Sequence, residues 1–183
     1  MMSWGFQRML TAAERAAALK DLEETHAAFL QTVEAFPAEH FFTSPGEGRW
    51  SAAQTVEHVV FVEGRALGRI HATLREPTDP TCRSDRAGRD EELWANVRSR
   101  KQPIQAPPIS SPVGGKCRED LIQAFAAARQ STIQFANTTG ADLRSYFASH
   151  PLFGTLDCYQ WLRLIPAHCE RHRAQIEEIR GSL

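Results

Sequence analysis

The sequence predicts an all-α fold, an antiparallel four-helix bundle with a long middle crossover connection. Three observations predict it. Four long segments place apolar residues three and four apart, the spacing that gathers them on one helix face. No set of segments shows the strict alternation of half-buried strands, and no internal repeat is present. Between the second and third segments lies a stretch with Pro77, Pro80, Pro103, Pro107, Pro108 and Pro112, which no continuous helix can cross.

The first helix is expected from about Thr11 to Phe36, with Leu19, Leu22, His26, Phe29, Val33 and Phe36 on one face. Pro37 stops it, and the tract through Ser44, Pro45, Gly46 and Gly48 reads as a loop. Ser51 opens the second helix. With Gln54 it forms a capping box, hydroxyl and amide each satisfying a free backbone N–H of the first turn. This helix should run to about Arg75, with Val59 or Val62, Ala66, Ile70 and Leu74 as its stripe. Trp50 can fold back onto its first turns. Gly64 and Gly68 lower helicity and read as places of close backbone packing.

The connection at about 77–115 should hold a short helix around Glu91 to Arg100, carrying Leu93, Trp94 and Val97. It is either a cover over a site or a strap across the bundle. The third long helix is expected over about Lys116 to Asn137, with Leu121, Phe125, Ala128, Thr132 and Phe135 inward, and Asn137 to Gly140 as the stop. After a brief segment at Asp142 to Ala148, the last helix should run from about Thr155 to Arg180. Pro166 lies inside it and predicts a kink or a local break. The 183 residues suit one domain, 1–183.

Charge and composition exclude several classes. Lysine plus arginine number 21 and aspartate plus glutamate 22, a net charge of −1, which argues against nucleic acid as a partner. The arginines are scattered among acids and read as a solvated surface. Cys82, Cys117, Cys158 and Cys169 have neither disulfide-framework nor zinc-finger spacing. Met1 to Leu10 lacks the pattern of an export signal, and no apolar run is long enough for a membrane span. A cytoplasmic, reduced protein is expected.

The sharpest chemistry is His168-x-x-x-His172. Residues four apart stack on one helix face, and Ile165, His168, His172, Ile176 and Ile179 share an inward phase. Buried imidazoles need hydrogen-bond partners or a metal ion. Both readings stand on spacing alone, and a useful metal site needs a third ligand. Cys169 sits about 100° round the helix and reads as a small buried residue. His58, two turns into the second helix, reads by itself as a core-edge histidine paired to an oxygen. His26 reads as a satisfied core or pocket-lining residue, His40 and His71 as exposed or boundary side chains. His150, before Pro151, reads as a turn residue held by local hydrogen bonds, with contact to the site as the alternative.

Three pieces carry a family resemblance: R-W-S-A-A-Q-T-V-E-H from Arg49 to His58, H-P-L-F-G-T-L from His150 to Leu156, and Q-W-L-R-L-I-P-A-H-C-E-R-H-R-A-Q-I from Gln160 to Ile176. In this order and separation the chain resembles the DinB-like family, the DinB/YfiT-like metalloenzyme superfamily. The resemblance implies a four-helix bundle that binds a divalent metal, nickel or zinc, through three histidines from two helices. Carried over, these are His58, His168 and His172. It also implies a homodimer.

Members with assigned reactions include S-transferases that use low-molecular-weight thiols such as bacillithiol or mycothiol, and a mycothiol-dependent isomerase. The function so implied is a metal-dependent thiol S-transferase acting on a small molecule. The alternatives are a metal-dependent hydrolase, a non-catalytic metal- or ligand-binding dimer, or a bundle whose histidines bind no metal. Three neutral histidines would leave the ion positive and open to a thiol or water. Glu57 points off the face of His58 and is not assigned as a base. Arg163 and Arg171 read first as surface ion pairs and second as contacts for an acidic thiol. Trp50 and Trp161 read first as core, and neither Cys158 nor Cys169 is assigned as the transferred thiol.

Overall fold

Short polar side chains close the first turns of the four long helices, and this fixes where each begins. In the computed structural model, which describes residues 9–101 and 108–182, α1 spans Ala12–Glu34 behind Thr11. The Thr11 hydroxyl accepts from Glu14 N–H at 3.1 Å, and the Glu14 carboxylate accepts from Thr11 N–H at 2.9 Å. Helix α2 spans Ala52–Thr73 behind the expected box, with Ser51–Gln54 bonds of 3.2 and 2.9 Å. Helix α3 is Asp90–Arg98, its first turn made acidic by Asp90, Glu91 and Glu92. Helix α4 is Arg118–Thr138, capped by the Cys117 sulfur. Helix α5 is Cys158–Arg180, capped by Asp157, which accepts from Gln160 N–H at 2.7 Å.

Helices α1, α2, α4 and α5 form the core four-helix bundle and α3 crosses it on α5. Helices α1 and α2 each pack on both α4 and α5, so the consecutive pairs α1/α2 and α4/α5 face each other across diagonals. The long connection makes this order possible. It also puts α2 beside α5, the two helices that carry the candidate ligands. Phe29, Val33, Phe36, Val56, Phe125 and Ile176 fill one part of the core; Leu22, Ile70, Leu93, Leu143, Leu156 and Leu162 fill another. Each such side chain contributes about 1.5–3 kcal/mol by leaving water.

Several expectations are corrected. On α1 the buried residues are Ala18, Leu22, Thr25, Phe29, Thr32 and Val33, while Leu19 and His26 are half-buried. His26 packs on Phe125, but its Nε2 has no hydrogen-bond partner among the described residues, so it is not the satisfied histidine expected. On α4 the inward face carries Arg129 and Ala136, with Ala128 and Phe135 only half-buried. Arginine goes inside there because Glu63 meets it. Gly64 and Gly68 are exposed, and a Cβ at either would meet nothing within 4 Å, so neither serves close packing.

Helix α5 starts at Cys158 and not at Thr155, because residues 154–157 are extended. A hairpin of β1 (Phe147–His150) and β2 (Gly154–Asp157) precedes it, pairing Phe147 with Asp157 and His150 with Gly154. Strands of four residues are too short to show a period in sequence. Gly154 has φ +76°, and a Cβ there would collide with the Asp85 carboxylate, which accepts from Thr155 N–H at 2.7 Å. Pro166 causes no break, for α5 continues past it to Arg180. No helix among the described residues is long and apolar enough to cross a membrane. Met1–Arg8, and Pro103 and Pro107 of the connection, lie outside the described residues.

Candidate metal centre

The capping box of α2 sets the phase that turns His58 inward, and the i, i+4 spacing on α5 stacks His168 and His172 opposite it. Ring nitrogens of the three histidines all lie within 4.8 Å of one another. His168 Nε2 is 3.2 Å from His58 Nε2 and 3.1 Å from His172 Nε2. His58 and His172 are buried and His168 half-buried.

The outer nitrogens fix the tautomers. His58 Nδ1 donates to the Ser110 carbonyl at 2.8 Å, which leaves a lone pair on its Nε2. His172 Nδ1 donates to Gln175 Oε1 at 2.8 Å, and Arg100 Nη1 donates to the same oxygen at 3.3 Å, so the amide presents its oxygen to both. The Nε2 of His172 therefore also carries a lone pair. Two lone pairs face His168 Nε2, which has at most one proton to offer. Protein hydrogen bonds alone leave this cluster short of donors; a divalent cation fits it.

Burial works against protonation of all three rings. It lowers the pKa of His58, and that of His168 well below the usual value, helped by His172 and His58 nearby. Burial takes His172 down to about 3. Neutral imidazole is the form that binds metal.

The triad opens on a cavity of about 680 Å³, in the size range of small-molecule sites. Trp50 and Trp161 line it; Trp50 packs on His58 with centroids 4.8 Å apart, and Trp161 donates to Ala148 O at 3.1 Å. The β-hairpin brings His150 to the wall, so the structure realises the alternative to a purely local role. His150 Nδ1 accepts from Leu152 N–H at 3.1 Å, which leaves its proton on Nε2, and burial lowers its pKa to about 4.

Arg171 lines the cavity, whereas Arg163 faces away and pairs with Asp21 at 3.0 Å and Glu91 at 3.3 Å. Neither is an exposed surface residue; both are buried. Glu57 accepts from Gly114 N–H at 2.8 Å and is engaged outside the triad. Cys169 is buried with its sulfur toward Thr25 O, not with the three histidines.

The sequence reading missed the supports. Gln175 stands three residues after His172 on the same face, a signal that was available. Ser110 and Arg100 belong to the crossover, where no periodicity points inward. That crossover is both strap and wall: α3 holds α5, while Val97, Arg100 and Ser110 line the cavity.

A second buried polar cluster lies further along α2. Glu63 accepts from Arg129 at 2.9 and 3.0 Å and from the Thr132 hydroxyl at 2.8 Å. Arg129 also donates to Leu22 O and to Thr25 Oγ1, each at 2.8 Å.

Fold and site together define a four-helix-bundle protein with a three-histidine site able to hold a divalent metal. The chain belongs to the DinB superfamily, whose family model matches residues 21–176. Among solved structures, YfiT from Bacillus subtilis matches with a TM-score of 0.62 at 18% identity, over 96% of this chain and 91% of that one. That protein is described as a probable metal-dependent hydrolase with an unusual four-helix bundle topology. Among curated proteins none matches the sequence.

Proposed function

We propose that His58, His168 and His172 bind one divalent metal ion, nickel or zinc, and that the protein is a metal-dependent hydrolase acting on a small molecule in the adjoining cavity. One observation carries this reading: three neutral imidazoles converge, short of protons, at the wall of an open cavity. The description of YfiT favours hydrolysis over the thiol transfer that the family resemblance first suggested.

A bound ion would supply a Lewis acid that activates water or a thiol and polarises a carbonyl. The chain's own residues do the remainder. Ser110 and Gln175 hold two rings in the ligating tautomer. Trp50 and Trp161 supply apolar wall beside the rings. His150, neutral and with its proton on Nε2, can donate a hydrogen bond to a developing oxyanion. Transfer from bacillithiol or mycothiol is the second reading, supported by the family resemblance and by a cavity large enough for two small reactants. The resemblance also supports a homodimer, which light scattering tests, and the cysteine pattern supports a reduced, cytoplasmic setting.

The decisive experiment is metal analysis of protein purified without a histidine tag. About one nickel or zinc per chain is expected, and less than a tenth of that in His58→Ala and His168→Ala. A folded parent that stays empty after exposure to both metals overturns the proposal. Loaded protein is then assayed on ester, amide and lactone panels with and without each thiol. Turnover that needs the thiol would replace hydrolysis by transfer.

A further inference from the structure

The charge of the cavity wall is one-sided. Arg49, Arg65, Arg100 and Arg171 line it, against Glu63 as the single acid among the described lining residues. That carboxylate is already used by Arg129, which binds it twice from inside the core. A divalent ion held by imidazole ligands would add its full charge to this wall. Arg100 is shared with Glu178 at 2.7 and 2.5 Å, yet its neighbour Arg171 is buried beside it. Glu178, which is not among the lining residues, acts on Arg49 and Arg171 as well as on Arg100, so one carboxylate stands against these three cations. In a chain of net charge −1, this concentration of positive charge is local. A concave wall of low dielectric strengthens its pull on anions.

Apolar groups share the cavity with the arginines. The described residues include six exposed large hydrophobic side chains, and three of them, Phe61, Ile109 and Leu152, stand on this cavity. Phe153 continues the same wall. Three exposed apolar groups gathered at one opening mark a binding site more strongly than the same groups standing singly.

We infer that the cavity recognises an organic carboxylate with an apolar body, its carboxylate held by Arg171 and its neighbouring arginines and its body lying along Phe61, Ile109 and Leu152. The planar guanidinium fork matches a carboxylate in two parallel hydrogen bonds. The inference rests on the reading of this cavity as the reaction site and names the class of substrate it takes.

The test is a titration of tryptophan fluorescence, which Trp50 and Trp161 report from the cavity, with 2-naphthoate and its neutral isostere 2-naphthamide. It is run on metal-free and on zinc-loaded protein. In metal-free protein the acid should bind at least about tenfold more tightly than the amide, and Arg171→Gln should remove most of that preference. Since Arg171 is buried, the exposed pair Arg49→Gln with Arg65→Gln serves as a second variant, expected to weaken acid binding about threefold and to lessen its salt dependence.

Equal binding of acid and amide, no binding of either, or a preference that both variants keep overturns the inference. So does a preference seen only after zinc loading, which would make the carboxylate a ligand of the metal. The two readings fail separately. Protein that prefers the acid but takes no metal retains the inference and loses the metal site; protein that binds zinc without preferring the acid does the reverse.

Discussion

Two buried polar clusters share helix α2. His58 belongs to one and Glu63 to the other, five positions and roughly 7.5 Å apart along the axis. Around Glu63 the groups match. Its carboxylate receives two bonds from Arg129 and one from Thr132, and Arg129 spends further donors on Leu22 O and Thr25. Around His58 they do not match, because two lone pairs compete for a single proton on His168. A cluster that satisfies itself ties α1, α2 and α4 together. A cluster short of protons, facing a cavity, is built for something that arrives from outside. The difference separates structure from function more sharply than burial does, since both clusters are buried.

The largest effect expected from this comparison is on stability. Removing Glu63 leaves the Arg129 guanidinium charged and enclosed, so Glu63→Ala should cost about 3–5 kcal/mol in chemical denaturation. Replacing both partners, Glu63→Leu with Arg129→Met, should recover most of that loss, because no unpaired charge remains. Zinc binding by the repaired double variant should equal that of the parent. If Glu63→Ala costs less than about 1 kcal/mol, or if the double variant is no better than the single, the cluster is not the closed pair described.

The two clusters also differ in how far the sequence reveals them. His168 and His172 are visible because a four-residue spacing in phase with Ile165, Ile176 and Ile179 puts both on the core face of one helix. His58 by itself reads first as a core-edge histidine, because a lone histidine has no partner within its own helix, and the family resemblance is what favours it as the third ligand. Arg129 was unreadable. An arginine in an amphipathic helix looks solvated, and its counter-charge lies 66 residues away. Helix ends were readable where proline or a capping box marks them, as at Pro37 and Ser51. The hairpin was hidden because four-residue strands show no period, though Gly154 stood there as a turn signal. The Ser110 carbonyl reaches His58 and the Arg100 side chain reaches Gln175 from an irregular connection, where neither backbone nor side-chain direction follows a rule of spacing.

The second effect concerns acid. In the unfolded chain histidine titrates near 6.5; in the fold His172 is held at about 3, with His168 well below and His58 also below the usual value. At pH 7 both states are neutral and nothing is lost. As pH falls below 6.5, the unfolded chain takes up protons that the fold refuses, so stability drops toward pH 3. The slope is at most about 1.4 kcal/mol per pH unit for each histidine. Asp157 acts in the opposite sense. Burial lifts its pKa to about 6, against the pull of Arg144, so its contribution is present below about pH 4 and is lost as pH rises through 6. His26 and His150, also lowered by burial, add to the triad, and Asp21, raised by burial, adds to Asp157, so five histidines outweigh two carboxyls. Metal-free protein should therefore weaken steadily between pH 6.5 and 4.5, and His172→Leu should flatten the curve. An unchanged slope in that variant would move the acid sensitivity from the triad to His26 and His150.

The smallest effect discriminates best, because it changes neither a histidine nor a charge. Gln175 holds His172 in the tautomer that turns its lone pair inward, and Arg100 fixes the amide that does so. In Gln175→Leu the imidazole keeps its place on α5 but loses the acceptor for its Nδ1 proton. Zinc affinity should fall about 10- to 100-fold. The stability of metal-free protein should change by no more than about 0.5 kcal/mol, because the proton that loses its acceptor can move to Nε2, where His168 Nε2 lies 3.1 Å away. Thr132→Val provides the opposite case. It removes one hydrogen bond to the buried Glu63 carboxylate, so stability should drop by about 1.5–3 kcal/mol while zinc affinity stays as it was. Competition against a chelating dye measures the affinity, and urea denaturation measures the stability. The comparison fails if the two variants shift the same quantity. If each shifts only its own, the two clusters are energetically separate in spite of the helix they share, and the proton deficit at the triad can be assigned to ligand binding alone.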